Sequence, residues 1–413
     1  MNKKTAAAAV CLGLFMTGCS NGNVSGTTTS QTIQTTEAIS STAEVTDIPV
    51  TPVPTEEPYV YMPYEGSAAA REILGSMTLE EKVYQMFMVS PEQLTGTDLY
   101  EYDTEFNDVT QSAIEAYPVG GVIFFGGNIV SPEQITDFIS GYQAASDIGL
   151  FIGIDEEGGD ITRIASNPAF VVEEFSPMRF IESDDDAYHV GNTIGSYLRE
   201  YGFNVDFAPV SDVDSNPDNT VIGDRAFSDD PQVVASRVSA CIEGFHDSGM
   251  ICTLKHFPGH GDTVADTHFE AASIDRSMDE IRACEMIPFA AGIDSGADFI
   301  MAAHITTPEA DPSCLPASLS HFWLTDILRY EMGFEGLIIT DSMIMQAVTD
   351  NYSPSEAAVA AVYAGNDVIL MPEDLEEAAQ GIIAAVESGV LPEERIDSSV
   401  LRIIDKKIEY GII

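Results

Sequence analysis

Basic residues are what this 413-residue chain has least of: Lys+Arg number 17 against 67 Asp+Glu, a formal charge of −50. A surface that anionic repels nucleic acid and acidic membrane faces, so the partners to expect are neutral or cationic. Cysteine is scarce as well. Cys11, Cys19, Cys241, Cys252, Cys284 and Cys314 fall into no C-x-x-C spacing and no Cys/His ladder, so neither a zinc site nor a disulfide framework is legible. Cys252 lies inside an apolar run, where a small buried hydrophobe is the expected role. No G-x-G-x-x-G or G-x-x-x-x-G-K-[ST] follows any strand-like run, which removes the main reasons to expect a nucleotide-binding sheet.

What is present begins with an export signal. Lys3 and Lys4 precede an apolar run over residues 6–16 that is too short for a stable membrane span, so residues 1–18 read as a signal peptide. The run ends in Met16-Thr17-Gly18-Cys19, which resembles a bacterial lipoprotein box. That resemblance implies Cys19 as the lipidated first residue of a mature chain on the outer face of the cell membrane. Residues 19–58 are rich in Ser, Thr, Pro and Glu with few large apolar side chains. Such a stretch cannot bury enough surface to offset its ordering entropy and is expected to be a disordered tether.

No second low-complexity break follows, so residues 59–413 are expected to form one folded unit. Apolar runs there alternate with capped helical stretches, the pattern of a parallel α/β fold. S/T-x-x-E/Q boxes at Thr78/Glu81, Ser131/Gln134, Ser277/Glu280 and Ser353/Glu356 mark helix starts, and Val234, Val238, Cys241 and Phe245 recur at helical spacing before Gly249. Strands are predicted over 122–125, 150–154, 205–208, 251–254, 299–302, 337–339 and 368–371, with an eighth inferred near 84–89. Eight strand–helix repeats favour a single closed (β/α)8 TIM-type barrel over an open doubly wound sheet.

Polar residues fall at the C-terminal ends of these runs, where a barrel builds its active site: Asp155, Lys255 with His256, His304, and Asp341. The richest stretch is 255–268, K-H-F-P-G-H-G-D-T-V-A-D-T-H, which holds the one lysine between Lys82 and Lys406. With no cofactor motif, this chemistry suits hydrolysis of a polar substrate by a nucleophile and a proton donor. Asp341 emerges from an apolar strand and is held for attack. Asp266 and His268 share a side of an extended loop, where the carboxylate can orient the imidazole and favour its protonated form. Gly259 and Gly261 suit a loop that bends over substrate, or simply a tight turn; His260 and Asp262 are expected to pin that turn.

The 255–268 block, with I-D-E-E-G-G at 154–159, G-D-R-A-F at 223–227 and I-T-D-S-M at 339–343, resembles glycoside hydrolase family 3, specifically its β-N-acetylglucosaminidase branch, from about Met77 to the C-terminus. The resemblance implies a retaining double displacement through a covalent glycosyl-enzyme on Asp341. It implies His268 as acid/base, paired with Asp266, and Asp155, Arg163, Arg225, Lys255 and His256 as holders of the −1 sugar, with His304 a weaker match. The substrate implied is terminal β-linked GlcNAc on peptidoglycan fragments or chitin-like oligosaccharides, with no metal or organic cofactor. Membrane contact is expected through the lipid anchor alone; the sequence does not reveal the oligomeric state, and a monomer is the expectation. Two departures stand out. Asp160 takes a place that is often basic, and the chain ends with the barrel, without the second domain that many members add. Three rivals share these residues: a metal hydrolase ligated by His256, His260, Asp262 and His268, whose spacing is not H-E-x-x-H; a glycoside phosphorylase; and a sugar-binding lipoprotein without turnover.

Overall fold

In the computed structural model, which describes residues 59–263 and 272–413, eight parallel strands follow one another round a closed circuit. They are β1 Phe87–Val89, β2 Gly121–Ile123, β3 Phe151–Ile154, β4 Val205–Asp206, β5 Ile251–Phe257, β6 Phe299–Ala302, β7 Leu337–Thr340 and β8 Ile369–Leu370. Each pairs with the next in the series through β7. β8 returns to β1 through Phe87↔Ile369 and Met88↔Leu370, and the bridge Ile339↔Val368 completes the ring. The expected (β/α)8 barrel is therefore present. Its strands are buried along their whole length because one face fills the barrel and the other packs on helices.

Strand ends shift from the expected ones by a few residues. The run 205–208 shortens to Val205–Asp206, and 251–254 lengthens to Phe257 because Lys255 and His256 continue the ladder. Between Leu254 and Phe257 β5 advances three residues while its partner β6 advances two, Ile300 to Ala302. That extra residue is a bulge, and it lets consecutive side chains, Lys255 and His256, both reach the mouth instead of alternating across the sheet.

The capping boxes at Thr78, Ser277 and Ser353 form as expected, and Ser131 caps its helix through Gln134 N–H. A further box, Ser90/Gln93, heads the short helix Pro91–Thr95. The helices Asp184–Tyr201 and Pro231–Ser248 follow β3 and β4 and lie against each other through glycine. A Cβ on Gly191 would stand 2.2 Å from Cys241 O, and one on Gly244 2.2 Å from Tyr188 O. The last turns of the C-terminal helix Glu393–Glu409 reach the starts of β6 and β3, where Lys406 donates to Asp298 and Lys407 lies over Phe151. Its Lys407 ammonium lies 5.1 Å from the Phe151 ring centre and donates to Gln85 Oε1 at 2.9 Å.

The expected signal peptide, Cys19 and the tether all lie outside the described residues. Among the described residues, no helix is long and apolar enough to cross a membrane.

Candidate active site

The strand ends enclose a cleft of about 300 Å³ whose walls include Asp155, Arg163, Arg225, Lys255, His256 and Asp341. All six stand among the expected site residues, drawn from five separate stretches of sequence. Asp266 and His268 lie outside the described residues, which resume at Ala272. Ala272–Ser273 pairs at once with Ile305–Thr306, beyond the end of β6.

The floor of the cleft is an ion network. Lys255 Nζ donates to Asp155 Oδ1 at 2.8 Å and stands 2.7 Å from Glu157 Oε1. Arg225 grips Glu157 with both arms of its guanidinium, Nε to Oε2 at 2.8 Å and Nη2 to Oε1 at 2.7 Å. Burial alone would raise the Glu157 carboxyl, but Arg225 and Lys255 hold it far below the usual carboxylate range. Burial would likewise lower the Lys255 ammonium, and Asp155 and Glu157 reverse that. Both groups therefore carry their charges at neutral pH. Arg163 is more loosely tied, 3.9 Å from Asp155 Oδ2.

Glu156 works one step behind. Its carboxylate accepts from the main-chain N–H groups of Arg163, Ile164 and Ala165 and from the Tyr197 hydroxyl, at 2.5 to 3.0 Å, so it fixes the loop that carries Arg163. The three consecutive acids 155–157 thus point to three destinations: the cleft, a supporting loop, and the two basic side chains. Asp160, the departure noted in the sequence, is exposed and is not part of the cleft wall.

His256 is oriented by Asp212, a fully buried residue that the sequence reading did not single out. His256 Nδ1 donates to Asp212 Oδ2 at 2.7 Å, and Oδ1 accepts from His256 N–H at 3.2 Å and from His260 N–H at 2.6 Å. The carboxylate therefore sets the ring's tautomer, leaving Nε2 as the other face. Burial would raise the Asp212 carboxyl, yet His256 and His260 keep it below its ordinary value.

Around Thr263 the chain is tightly pinned, as expected for His260 and Asp262. His260 Nδ1 meets Thr263 Oγ1 at 2.7 Å, and its carbonyl accepts from Asn219 at 2.8 Å. Asp262 Oδ1 accepts from Arg276 at 2.8 Å. Burial, helped by His256, holds the His260 imidazole below its usual pKa, and the ring forms part of the cleft wall. Gly261 is explained by packing, since a Cβ there would fall 1.6 Å from Val213 O.

Asp341 follows β7. Its N–H donates to Ala302 O at 2.9 Å, and its Oδ1 accepts from Ser342 N–H at 2.7 Å. His304 stands behind it and outside the cleft wall. Its Nε2 donates to Ser342 O at 3.1 Å, and Nδ1 accepts from the Ser318 hydroxyl at 2.7 Å. His304 thus steadies the backbone next to Asp341.

A closed parallel barrel whose strand ends gather carboxylates, cations and imidazoles round one open cleft has the architecture on which barrel enzymes build their sites for small polar molecules. The particular family follows from comparison. Residues 78–405 match the glycosyl hydrolase family 3 N-terminal domain, and the chain belongs to that family. It is 35% identical over 325 residues to β-hexosaminidase A of Pseudoalteromonas piscicida, covering 71% of this chain and 54% of that one. To the β-hexosaminidase of Idiomarina loihiensis it is 38% identical over 281 residues, 67% of this chain and 83% of the relative. Among solved structures, a family 3 β-N-acetylglucosaminidase from Paenibacillus superposes with a TM-score of 0.76 at 35% identity, over 82% of this chain and 63% of that one. A β-glucoside phosphorylase follows with 0.74 at 25% identity, over 85% and 63%. The chain thus spans about half of the first relative and most of the second.

Proposed function

We propose that this chain is an exported, lipid-anchored exo-β-N-acetylglucosaminidase that removes terminal β-linked GlcNAc from peptidoglycan fragments or chitin-like oligosaccharides with retention of configuration. The observation that carries the reading is the position of Asp341 on the same cleft as Asp155, Arg163, Arg225, Lys255 and His256. Likeness to β-hexosaminidases at 35% to 38% identity supports the choice of sugar.

In this reading Asp341 attacks the anomeric carbon while protonated His268, steadied by Asp266, gives its proton to the leaving oxygen. Water then attacks the glycosyl-enzyme as His268 takes a proton back, so two inversions restore the β anomer. Asp155 accepts from sugar hydroxyls, and Arg163, Arg225, Lys255 and His256 complete the −1 subsite. A cleft of about 300 Å³ is at the small end for ligand sites and suits one terminal sugar. Cys19 carries the lipid, and residues 20–58 hold the barrel away from the membrane.

The test is the initial rate on an aryl β-N-acetylglucosaminide beside the matching β-glucoside, without and then with phosphate. Preference for the acetamido sugar without phosphate is the expected result. Turnover that needs phosphate would make the protein a phosphorylase on the same residues, and no turnover of either would leave a sugar-binding lipoprotein.

A further inference from the structure

At the end of the barrel away from the cleft, His246 and Cys252, six residues apart, meet Asp298, which lies 46 residues beyond Cys252. His246 is in the last turns of the helix Pro231–Ser248, Cys252 is the second residue of β5, and Asp298 immediately precedes β6. We propose that these three residues bind a thiophilic divalent cation, zinc by preference.

The geometry carries the proposal. His246 Nε2 is 3.1 Å from Asp298 Oδ2, Cys252 Sγ is 3.6 Å from the same oxygen, and Sγ and Nε2 are 3.9 Å apart. Zinc bonds of about 2.0 Å to nitrogen or oxygen and about 2.3 Å to sulfur, set tetrahedrally, place their ligand atoms roughly 3.3 to 3.6 Å apart. The three atoms already mark one face of such a tetrahedron to within a few tenths of an ångström.

The same oxygen is also crowded by donors. Asp298 Oδ2 faces Cys252 N–H at 3.1 Å and the Tyr410 hydroxyl at 2.8 Å as well as the imidazole and the thiol. The Tyr410 hydroxyl is shared with Oδ1 at 2.9 Å, which leaves the amide, the imidazole and the thiol competing for the lone pairs of Oδ2. A cation that displaces the thiol proton and moves the imidazole proton to Nδ1 removes two of these donors. The other oxygen, Oδ1, is held by Lys406 Nζ at 2.9 Å, an outer contact of the kind that orients a ligating carboxylate. Thiolate and carboxylate together offset the ion's charge, so the Lys406 ammonium adjoins a neutral cluster.

An entry route exists. The His246 side chain is 31% exposed and borders an open depression of about 470 Å³ shared with Arg199, Glu409 and Tyr410, where solvent can supply a fourth ligand. Cys252 lies behind it, fully buried, out of reach of any substrate. A set of one thiolate, one imidazole and one carboxylate favours zinc over magnesium or calcium.

The experiment is a titration of the full chain with cobalt(II), followed by absorbance, and with zinc, followed by thermal unfolding. One equivalent of cobalt is expected to give a thiolate-to-metal band in the near ultraviolet and tetrahedral bands in the visible, with a zinc-dependent rise in Tm. Cys252→Ser should abolish the thiolate band, and His246→Ala should weaken binding more than about 100-fold, with circular dichroism and aryl glycoside turnover unchanged in both. Absence of the thiolate band, or binding that survives Cys252→Ser because the cleft histidines hold the metal instead, would overturn the proposal.

Discussion

Asp341 and His268 are expected to fail differently when removed. Asp341→Asn keeps the size and loses the nucleophile, so kcat should fall by about four orders of magnitude or more while sugar binding persists; near-normal turnover would remove Asp341 from the mechanism. His268→Ala should slow substrates with poor leaving groups far more than activated aryl glycosides, because only the former need protonation. Equal losses on both would argue against an acid. Asp212 acts at one remove. In Asp212→Asn the amide can still accept from the two main-chain N–H groups that Asp212 now holds, but it presents its own N–H to His256 Nδ1 and drives the ring to the other tautomer. We expect kcat/KM to fall by about 10- to 100-fold, with an altered pH profile and little change in Tm; an unchanged profile would reduce Asp212 to a structural pin. These residues also mark where sequence is and is not legible. Asp155, Lys255, His256 and Asp341 could be read because each ends an apolar run. Asp212 lies in a mixed stretch, Val210-Ser211-Asp212-Val213-Asp214, that ends no apolar run, and its partner His256 is 44 positions away; Glu157 finds Arg225 68 positions away. A buried carboxylate is recognised by its partner, and only the fold brings the partner near.

Among the elements, strand identity was readable from apolar runs, but strand length was not, because the ladder depends on neighbours: Lys255 and His256 extend β5 although they are polar. Helix contacts were less readable still. The spacing of Val234, Val238, Cys241 and Phe245 announces a buried face, yet the close approach to the helix before it is set by Gly191 and Gly244. Gly244→Ala would place a methyl 2.2 Å from Tyr188 O and 2.7 Å from Asn192 N, both main-chain atoms that cannot swing aside. We expect a loss of about 3 kcal/mol, seen as a lower urea midpoint at constant m-value. A shift within error would mean that the two helices can separate freely. The C-terminal helix carries a second test. Burial pushes the Lys407 ammonium down to about 7. Between there and its unfolded value of about 10.4, the unfolded chain binds a proton that the folded one does not, so this group adds stability as pH rises and a constant cost below 7. Lys407→Met removes that slope. The stability gap between the two proteins should therefore move in favour of the natural chain by roughly 3 kcal/mol from pH 7 to 10. A gap independent of pH would show that Lys407 titrates normally in the fold.

On the scale of the whole molecule the formal charge of −50 sets two kinds of electrostatics against each other. Exposed carboxylates repel across solvent, and salt weakens that repulsion: the screening length is about 10 Å at 0.1 M and about 3 Å at 1 M. The attractive pairs that organise the barrel are shielded from such screening by burial. Lys255 with Glu157 has side chains 3% exposed on both sides, and Arg329 with Asp367 has 3% and 1%. Added salt should thus remove repulsion and leave attraction, and Tm should climb by several degrees between about 10 mM and 0.5 M sodium chloride before levelling. Calorimetry across that range checks it; a Tm that falls with salt would mean that exposed ion pairs contribute more than surface repulsion costs. The same field acts on encounter. A neutral GlcNAc oligosaccharide feels little of it, so its KM should be nearly independent of salt. A partly deacetylated oligosaccharide carries ammonium groups, and its kcat/KM should be highest at low salt and decline as screening grows. Equal salt profiles for the two substrates would confine the acidic surface to a role in solubility.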